Sequence, residues 1–169
     1  MKHLLSVWHE VEPLLKERTL MLFLDYDGTL TPIVDHPKEA KLSQGGKKVL
    51  RGMTLTPGIK TVIVSGRSLA DVKKLVRIAG LLYVGNHGLE LEGPAINFVH
   101  PQAVEAKKLI EKIRIRLRPA LHSFTGVVIE DKTFTLSVHY RRLAESKVEP
   151  ARLVFLRILR PYARASKVI

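Results

Sequence analysis

The chain has 169 residues, 28 Lys and Arg against 16 Asp and Glu for a formal net charge of +12, and is 46% hydrophobic and 26% charged. That is the size of one ordinary domain, or of a core with a small insert, and the composition of a globular protein rather than a disordered or collagen-like one. The sequence has no cysteine, which excludes disulfide frameworks, cysteine zinc sites, iron–sulfur clusters and thiol nucleophiles and fits a reducing compartment.

At the start, MKHLLSVWHEVEPLL offers leucines and one Lys, but Glu10 and Glu12 break the apolar stretch and no small-residue cleavage site follows. An amphipathic first helix is expected there, not a signal peptide. Apolar runs such as Leu20 to Leu24 are far below the roughly 18 residues a membrane-spanning helix needs, so no membrane partner is expected and the default location is cytoplasmic. Thr19 to Asp25 is a continuous apolar run that predicts a strand buried on both faces, as in a parallel sheet. Leu42 to Met53 predicts a helix with Ser43 as a candidate N-cap, and Pro57-Gly58 the turn after it. Ile59 to Val64 predicts a second strand. Ser68 to Ile78 predicts a helix capped by Ser68, with Asp71 placed for a capping box. Leu81 to Val84 predicts a third strand, followed by the loop GNHG.

Alternating strands and helices over this stretch predict a doubly wound α/β sheet, which binds ligands at the carboxyl ends of its strands. DYDGT, SGR and GNHG all fall at such ends. After residue 100 the pattern changes. Pro101 to Arg118 is helical in period, with Ala103, Ala106, Ile110, Ile113 and Leu117 on one face. Gly126 to Glu130 and Thr133 to Tyr140 predict two strands joined by a tight turn at Asp131-Lys132, and Pro150 to Leu159 another helix. Helices with a hairpin predict a small α+β unit beside the sheet. Residues 101–169 hold 15 Lys and Arg against 6 Asp and Glu, most of the net charge. That excess reads either as attraction for an anion or as solvated helix faces. Without aromatic interleaving or zinc-finger spacing it does not point to nucleic acid.

Asp25 and Asp27 are two carboxylates two residues apart just past a strand end, with Gly28 letting the chain turn. They repel unless something holds them, and Mg²⁺ suits one or two carboxylates completed by phosphate and water. In such a site Asp25 can attack phosphorus and Asp27 can give and take a proton. The alternative is an ordinary Asp/Gly surface turn. Ser65 and the amides that open the next helix can hold an anion, and Arg67 adds a fork for phosphate or hydroxyls. Their plain reading is a helix cap and a surface Arg.

Taken in order, DYDGTLTPI, SGRSLADV, GNHGLE and IEDKTFTLSVHYR resemble the trehalose-6-phosphate phosphatases of the haloacid dehalogenase-like superfamily, from about Leu20 to Arg142. The resemblance implies a haloacid dehalogenase-like Rossmannoid core with a small α+β cap, divided as residues 1–99 and 100–169. It implies Mg²⁺ as cofactor and trehalose 6-phosphate as small-molecule substrate. Asp25 would be the nucleophile and Asp27 the acid/base, both at the metal, the latter through its carbonyl. Thr29 and Ser65 would hold phosphoryl oxygens. Arg67, Asn86, His87 and Gly88 would line the substrate cleft, and Glu130 and Lys132 of the cap hairpin would bind glucose hydroxyls. The family also has a later Lys and an acidic cluster of the type GDDxTDE. Neither pattern follows Arg142, and Asp131 is the last Asp. The sequence is therefore expected to carry an incomplete core and a partial cap, with the first strand at a sheet edge.

Overall fold

The computed structural model describes residues 3–16, 18–34 and 39–163. The chain divides into two compact units, Met1–Phe98 and Val99–Ile169.

In the first unit a short 3₁₀ turn at Leu4–Val7 leads into helix α1, Trp8–Lys16. Then come β1 (Leu20–Asp25), α2 (Gln44–Leu55), β2 (Ile59–Val64), α3 (Leu69–Val76) and β3 (Leu82–Gly85). Helices α2 and α3 start where the sequence offers a cap. The Ser43 hydroxyl accepts from the Gly46 amide and the Ser68 hydroxyl from the Asp71 amide. The capping box at Ser68 is half realised, because the Asp71 carboxylate turns to Arg67 at 3.1 Å.

β1 runs parallel to β2, and β2 to β3, with Leu24, Ile63 and Tyr83 in register across the three strands. That row faces a core in which Leu50 of α2 and Leu69, Val72 and Val76 of α3 are buried. Each large side chain buried this way contributes about 1.5–3 kcal/mol. The opposite face of β1 carries Met21 and Phe23, which are 52% and 65% exposed. The expectation of a strand buried on both faces is thus corrected. β1 is parallel but covered on one face, because α2 and α3 pack on the same side of the sheet. It is also an edge strand, since the sheet order is β1-β2-β3-β4-β5. Among the described residues the strand order therefore does not reverse as a doubly wound sheet requires.

The sequence reading missed β4 (Glu90–Gly93) and β5 (Ile96–Val99), which extend the sheet beyond β3. β4 is antiparallel to β3. Its ELEG sequence alternates, but four residues with two glutamates give a weak strand signal.

In the second unit, α4 (Pro101–Leu121) and α5 (Glu145–Ala163) enclose the antiparallel hairpin of β6 (Val128–Asp131) and β7 (Leu136–His139) in sequence. Ile113, Leu117 and Leu121 of α4 and Ala151 of α5 form its buried core, with Ile129, Leu136 and Val138 packed on it. The strands are shorter than expected, and the turn spans residues 132–135 rather than Asp131-Lys132 alone. The Lys132 amide donates to the Thr135 carbonyl at 3.0 Å, and the Thr133 amide to the Asp131 carboxylate at 2.9 Å. Tyr140, expected on the apolar face of this strand, lies beyond it and is 58% exposed.

Candidate functional site

Parallel pairing puts Asp25 opposite Val64 and Val64 opposite Val84, so the segments after all three strands emerge at one end of the sheet. The Tyr26 amide donates to the Val64 carbonyl and the Ser65 amide to the Val84 carbonyl, extending the ladder one residue into each loop.

The first loop is a tight, self-bonded turn. Gly28 has φ 87°, a conformation costly for any residue with a side chain. Its amide donates to the Thr31 carbonyl, and the amides of Leu30 and Thr31 return to the carbonyls of Asp25 and Tyr26. The Thr31 hydroxyl, itself buried, adds a bond to the Tyr26 carbonyl at 3.1 Å. Between the two aspartates Tyr26 is fully buried, and its hydroxyl donates to the Ala40 carbonyl at 2.8 Å. Burial pushes the Tyr26 hydroxyl above its ordinary pKa. With Tyr26 anchored in the core, the flanking Asp25 and Asp27 stay at the surface.

Arg67 is 7% exposed and meets Asp27 as a two-pronged fork. Its Nε donates to Oδ2 at 2.9 Å and its Nη2 to Oδ1 at 2.7 Å. Nη1 donates to Asp71, and the guanidinium lies 5.5 Å from the centre of the Tyr26 ring. Two carboxylates and an aromatic face compensate a cation taken out of water. The hydrogen bonds it donates to Asp27 raise the Arg67 pKa against the opposing pull of burial. Arg67 was expected to face substrate; here its fork is engaged by two aspartates. Arg67 lies ahead of the Ser68 cap and so outside α3, and its bond to Asp71 crosses the helix start.

The second and third loops are stitched together. The Arg67 amide donates to the Ser65 hydroxyl at 3.1 Å, the Asn86 amide to the Arg67 carbonyl at 2.7 Å and the His87 amide to the Ser65 carbonyl at 3.3 Å. Ser65 and Asn86 are buried, whereas His87 and Gly88 are exposed, with the His87 ring against Gly66. Asn86 and His87 both have positive φ, 50° and 58°, followed by Gly88 at 97°. Gly85 packs so closely on α3 that a Cβ there would come within 2.5 Å of the Leu69 amide nitrogen. Thr29 is exposed in the first loop.

The remaining expected residues, Glu130 and Lys132, lie in the second unit. Glu130 Oε2 is 2.8 Å from His139 Nε2 and 3.7 Å from Lys132 Nζ, with Lys132 buried to 8% exposure. Arg114 of α4 reaches Asp131 at 3.3 Å beside its pair with Glu111. Glu130, Asp131 and His139 lie on the hairpin strands and Lys132 in its turn.

Among the described residues no group of three or more His, Asp or Glu side chains is placed to hold a metal. Asp27 spends its carboxylate on Arg67. The protein oxygens on offer are the Asp25 carboxylate and the Asp27 main-chain carbonyl. Both are hard donors, and this thin set fits Mg²⁺ only in the kind of site that water and a substrate phosphate complete. No described helix is long and apolar enough to cross a membrane.

A family model described as trehalose-phosphatase matches residues 23–159. The chain is 38% identical over 128 residues to a trehalose-phosphate phosphatase of Mycobacterium bovis, covering 75% of this chain and 32% of that protein. It is 37% identical over 148 residues to an uncharacterized glycosyl hydrolase of Mycobacterium tuberculosis, covering 86% of this chain and 11% of that protein. Its fold matches the C-terminal domain of C. albicans trehalose-6-phosphate phosphatase with a TM-score of 0.72 and 28% identity, over 90% of this chain and 55% of that one. The chain thus spans between about a tenth and just over half the length of these relatives.

Proposed function

For this chain, which belongs to the trehalose-phosphatase family, we propose the chemistry of a phosphomonoester hydrolase acting on trehalose 6-phosphate, in which Asp25 is the nucleophile and Asp27 the acid/base. The observation that carries the reading is the pairing at the strand ends: one aspartate at the end of β1 with an exposed carboxylate, the other clamped two residues on by Arg67.

The Asp25 carboxylate oxygen forms a bond to phosphorus as the bond from phosphorus to the sugar oxygen breaks. Asp27, protonated on an oxygen freed from one prong of the Arg67 fork, gives that proton to the leaving oxygen, so trehalose departs and an aspartyl-phosphate remains. Asp27 then takes a proton from water as the water oxygen attacks phosphorus, which releases phosphate and restores Asp25. The remaining prong of Arg67 keeps the Asp27 carboxyl in place through both halves. The Ser65 hydroxyl and Thr29 bind phosphoryl oxygens. Asn86, His87 and Gly88 form the neighbouring wall, and Glu130 and Lys132 bind glucose hydroxyls. Mg²⁺, held by Asp25 and the Asp27 carbonyl, would offset negative charge on the phosphoryl group. The setting proposed is cytoplasmic trehalose biosynthesis, with no nucleic-acid or membrane partner.

The test is phosphate release from trehalose 6-phosphate with Mg²⁺, run on the unaltered chain and on Asp25→Asn. Turnover lost in the variant supports the reading. Binding of trehalose 6-phosphate without turnover would instead make these residues a sugar-phosphate-binding module. The thin set of metal donors favours that second reading.

A further inference from the structure

Glu90 opens β4, 21 residues after the start of α3, and was assigned no role by the chemistry above. Its carboxylate oxygen Oε2 accepts two hydrogen bonds. One comes from the main-chain amide of Leu69, the first residue of α3, at 3.1 Å. The other comes from the side-chain amide nitrogen of Asn86. Helix starts leave amides without intrahelical partners. Ser68 caps the Asp71 amide, and Glu90 takes the Leu69 amide from across the fold. A negative group there also complements the helix dipole.

What Glu90 joins is the point. Leu69 lies two residues after Arg67, whose fork fixes Asp27. Asn86 is fully buried, sits at φ 50°, and donates its own amide to the Arg67 carbonyl. Left-handed backbone at two consecutive residues persists only where surrounding bonds hold it, and Glu90 supplies one to the first of them. We propose that Glu90 is a positioning residue that locks the loop after β2 to the loop after β3, and through Arg67 sets where the Asp27 carboxylate stands. Its catalytic part rests on the phosphatase reading; its structural part does not.

Both bonds end on one oxygen, so Gln, whose single carbonyl oxygen accepts two, replaces Glu in kind, whereas Ala removes both. The experiment compares Glu90→Ala, Glu90→Gln and Val76→Ala in the full chain. Val76→Ala opens the buried side of α3 away from the loops and controls for general loss of stability. Two readouts are taken: hydrogen exchange of the Leu69 amide, and kcat and KM for phosphate release from trehalose 6-phosphate. Losing two such bonds speeds Leu69 exchange about tenfold or more in Glu90→Ala and lowers kcat about tenfold with KM little changed. Glu90→Gln recovers both, and Val76→Ala leaves kcat unchanged below its melting temperature. Leu69 exchange as slow in Glu90→Ala as in the unaltered chain overturns the proposal, and so does a Glu90→Gln variant as impaired as Glu90→Ala. If Glu90→Ala does not fold, Glu90→Asp, shorter by one methylene, takes its place with the same expected losses. If the unaltered chain shows no turnover, the phosphatase reading falls while the exchange comparison still decides whether Glu90 locks the two loops.

Discussion

The loops after β1, β2 and β3 and the tip of the β6–β7 hairpin both collect charged side chains, but they hold them differently. In the first unit the charged groups are tied to main chain and to each other in several directions. Arg67 is forked onto Asp27, bonded to Asp71, and fixed at its own amide and carbonyl by Ser65 and Asn86. At the hairpin, Glu130 meets His139 and Asp131 meets Arg114 of α4 side chain to side chain, with a main-chain bond from Thr133 to Asp131, and Glu130 and His139 are 29% and 46% exposed in their side chains. Bonds of the first kind fix a geometry to within fractions of an ångström, as bond-making demands. Bonds of the second kind rearrange at little cost and suit the reading of hydroxyl groups.

Removing the proposed nucleophile is the strongest way to break this contrast. Asp25→Asn is expected to lower kcat by about 10⁴-fold or more while the circular dichroism spectrum is unchanged. Residual turnover near that of the unaltered chain would move the chemistry elsewhere. Gly85→Ala attacks the stitching directly. The added Cβ has main chain to meet, so a loss of about 1–3 kcal/mol or more is expected in urea denaturation, together with lost activity. An unperturbed midpoint would mean the two loops are not held as tightly as described.

Glu130→Gln sharpens the contrast from the other side. It is expected to raise KM about tenfold with kcat largely kept, because a hydrogen bond to a charged group is weakened without touching the reacting atoms. A kcat loss as large as that of Asp25→Asn would erase the division of labour between the units.

Two smaller effects concern pH. The folded-state pKa of Tyr26 is raised, so its stabilising effect is complete below its ordinary value of 10.0 and is lost as pH rises through the raised value. Tyr26→Phe is expected to be about 1 kcal/mol less stable at neutral pH, from the lost bond to Ala40, yet to lose stability less steeply in alkali. Denaturant midpoints across the alkaline range check both. In the second unit Arg114 lowers the Glu111 pKa through its hydrogen bond. The contribution is present above the ordinary Glu value and is lost as pH falls through the lowered one. Arg114→Ala is expected to flatten the acid limb only slightly, since the pair is solvent-screened.

Much of this was readable in the chain. The run ending at Asp25, the span Ile59–Val64 and the cap at Ser68 all follow local rules of period and capping, and they bring DYDGT, SGR and GNHG to one end of the sheet. Which faces are covered was not readable. TLMLFLD has the texture of a strand buried on both sides, yet Met21 and Phe23 stand open, because burial depends on where α2 and α3 pack.

By itself, then, the sequence determined the elements other than β4 and β5, the strand ends that carry Asp25, Ser65 and Asn86, and the family. Those properties come from neighbours within a few residues or from the order of motifs. Only the tertiary structure decided what Arg67 and Glu90 do. Their partners lie 40 and 21 residues away, Asp27 for one and the Leu69 amide for the other. No local period or spacing rule reaches across such gaps; the parallel crossovers from β1 to β3 and, for Glu90, the antiparallel return of β4 along β3 are what bring these groups within hydrogen-bonding distance.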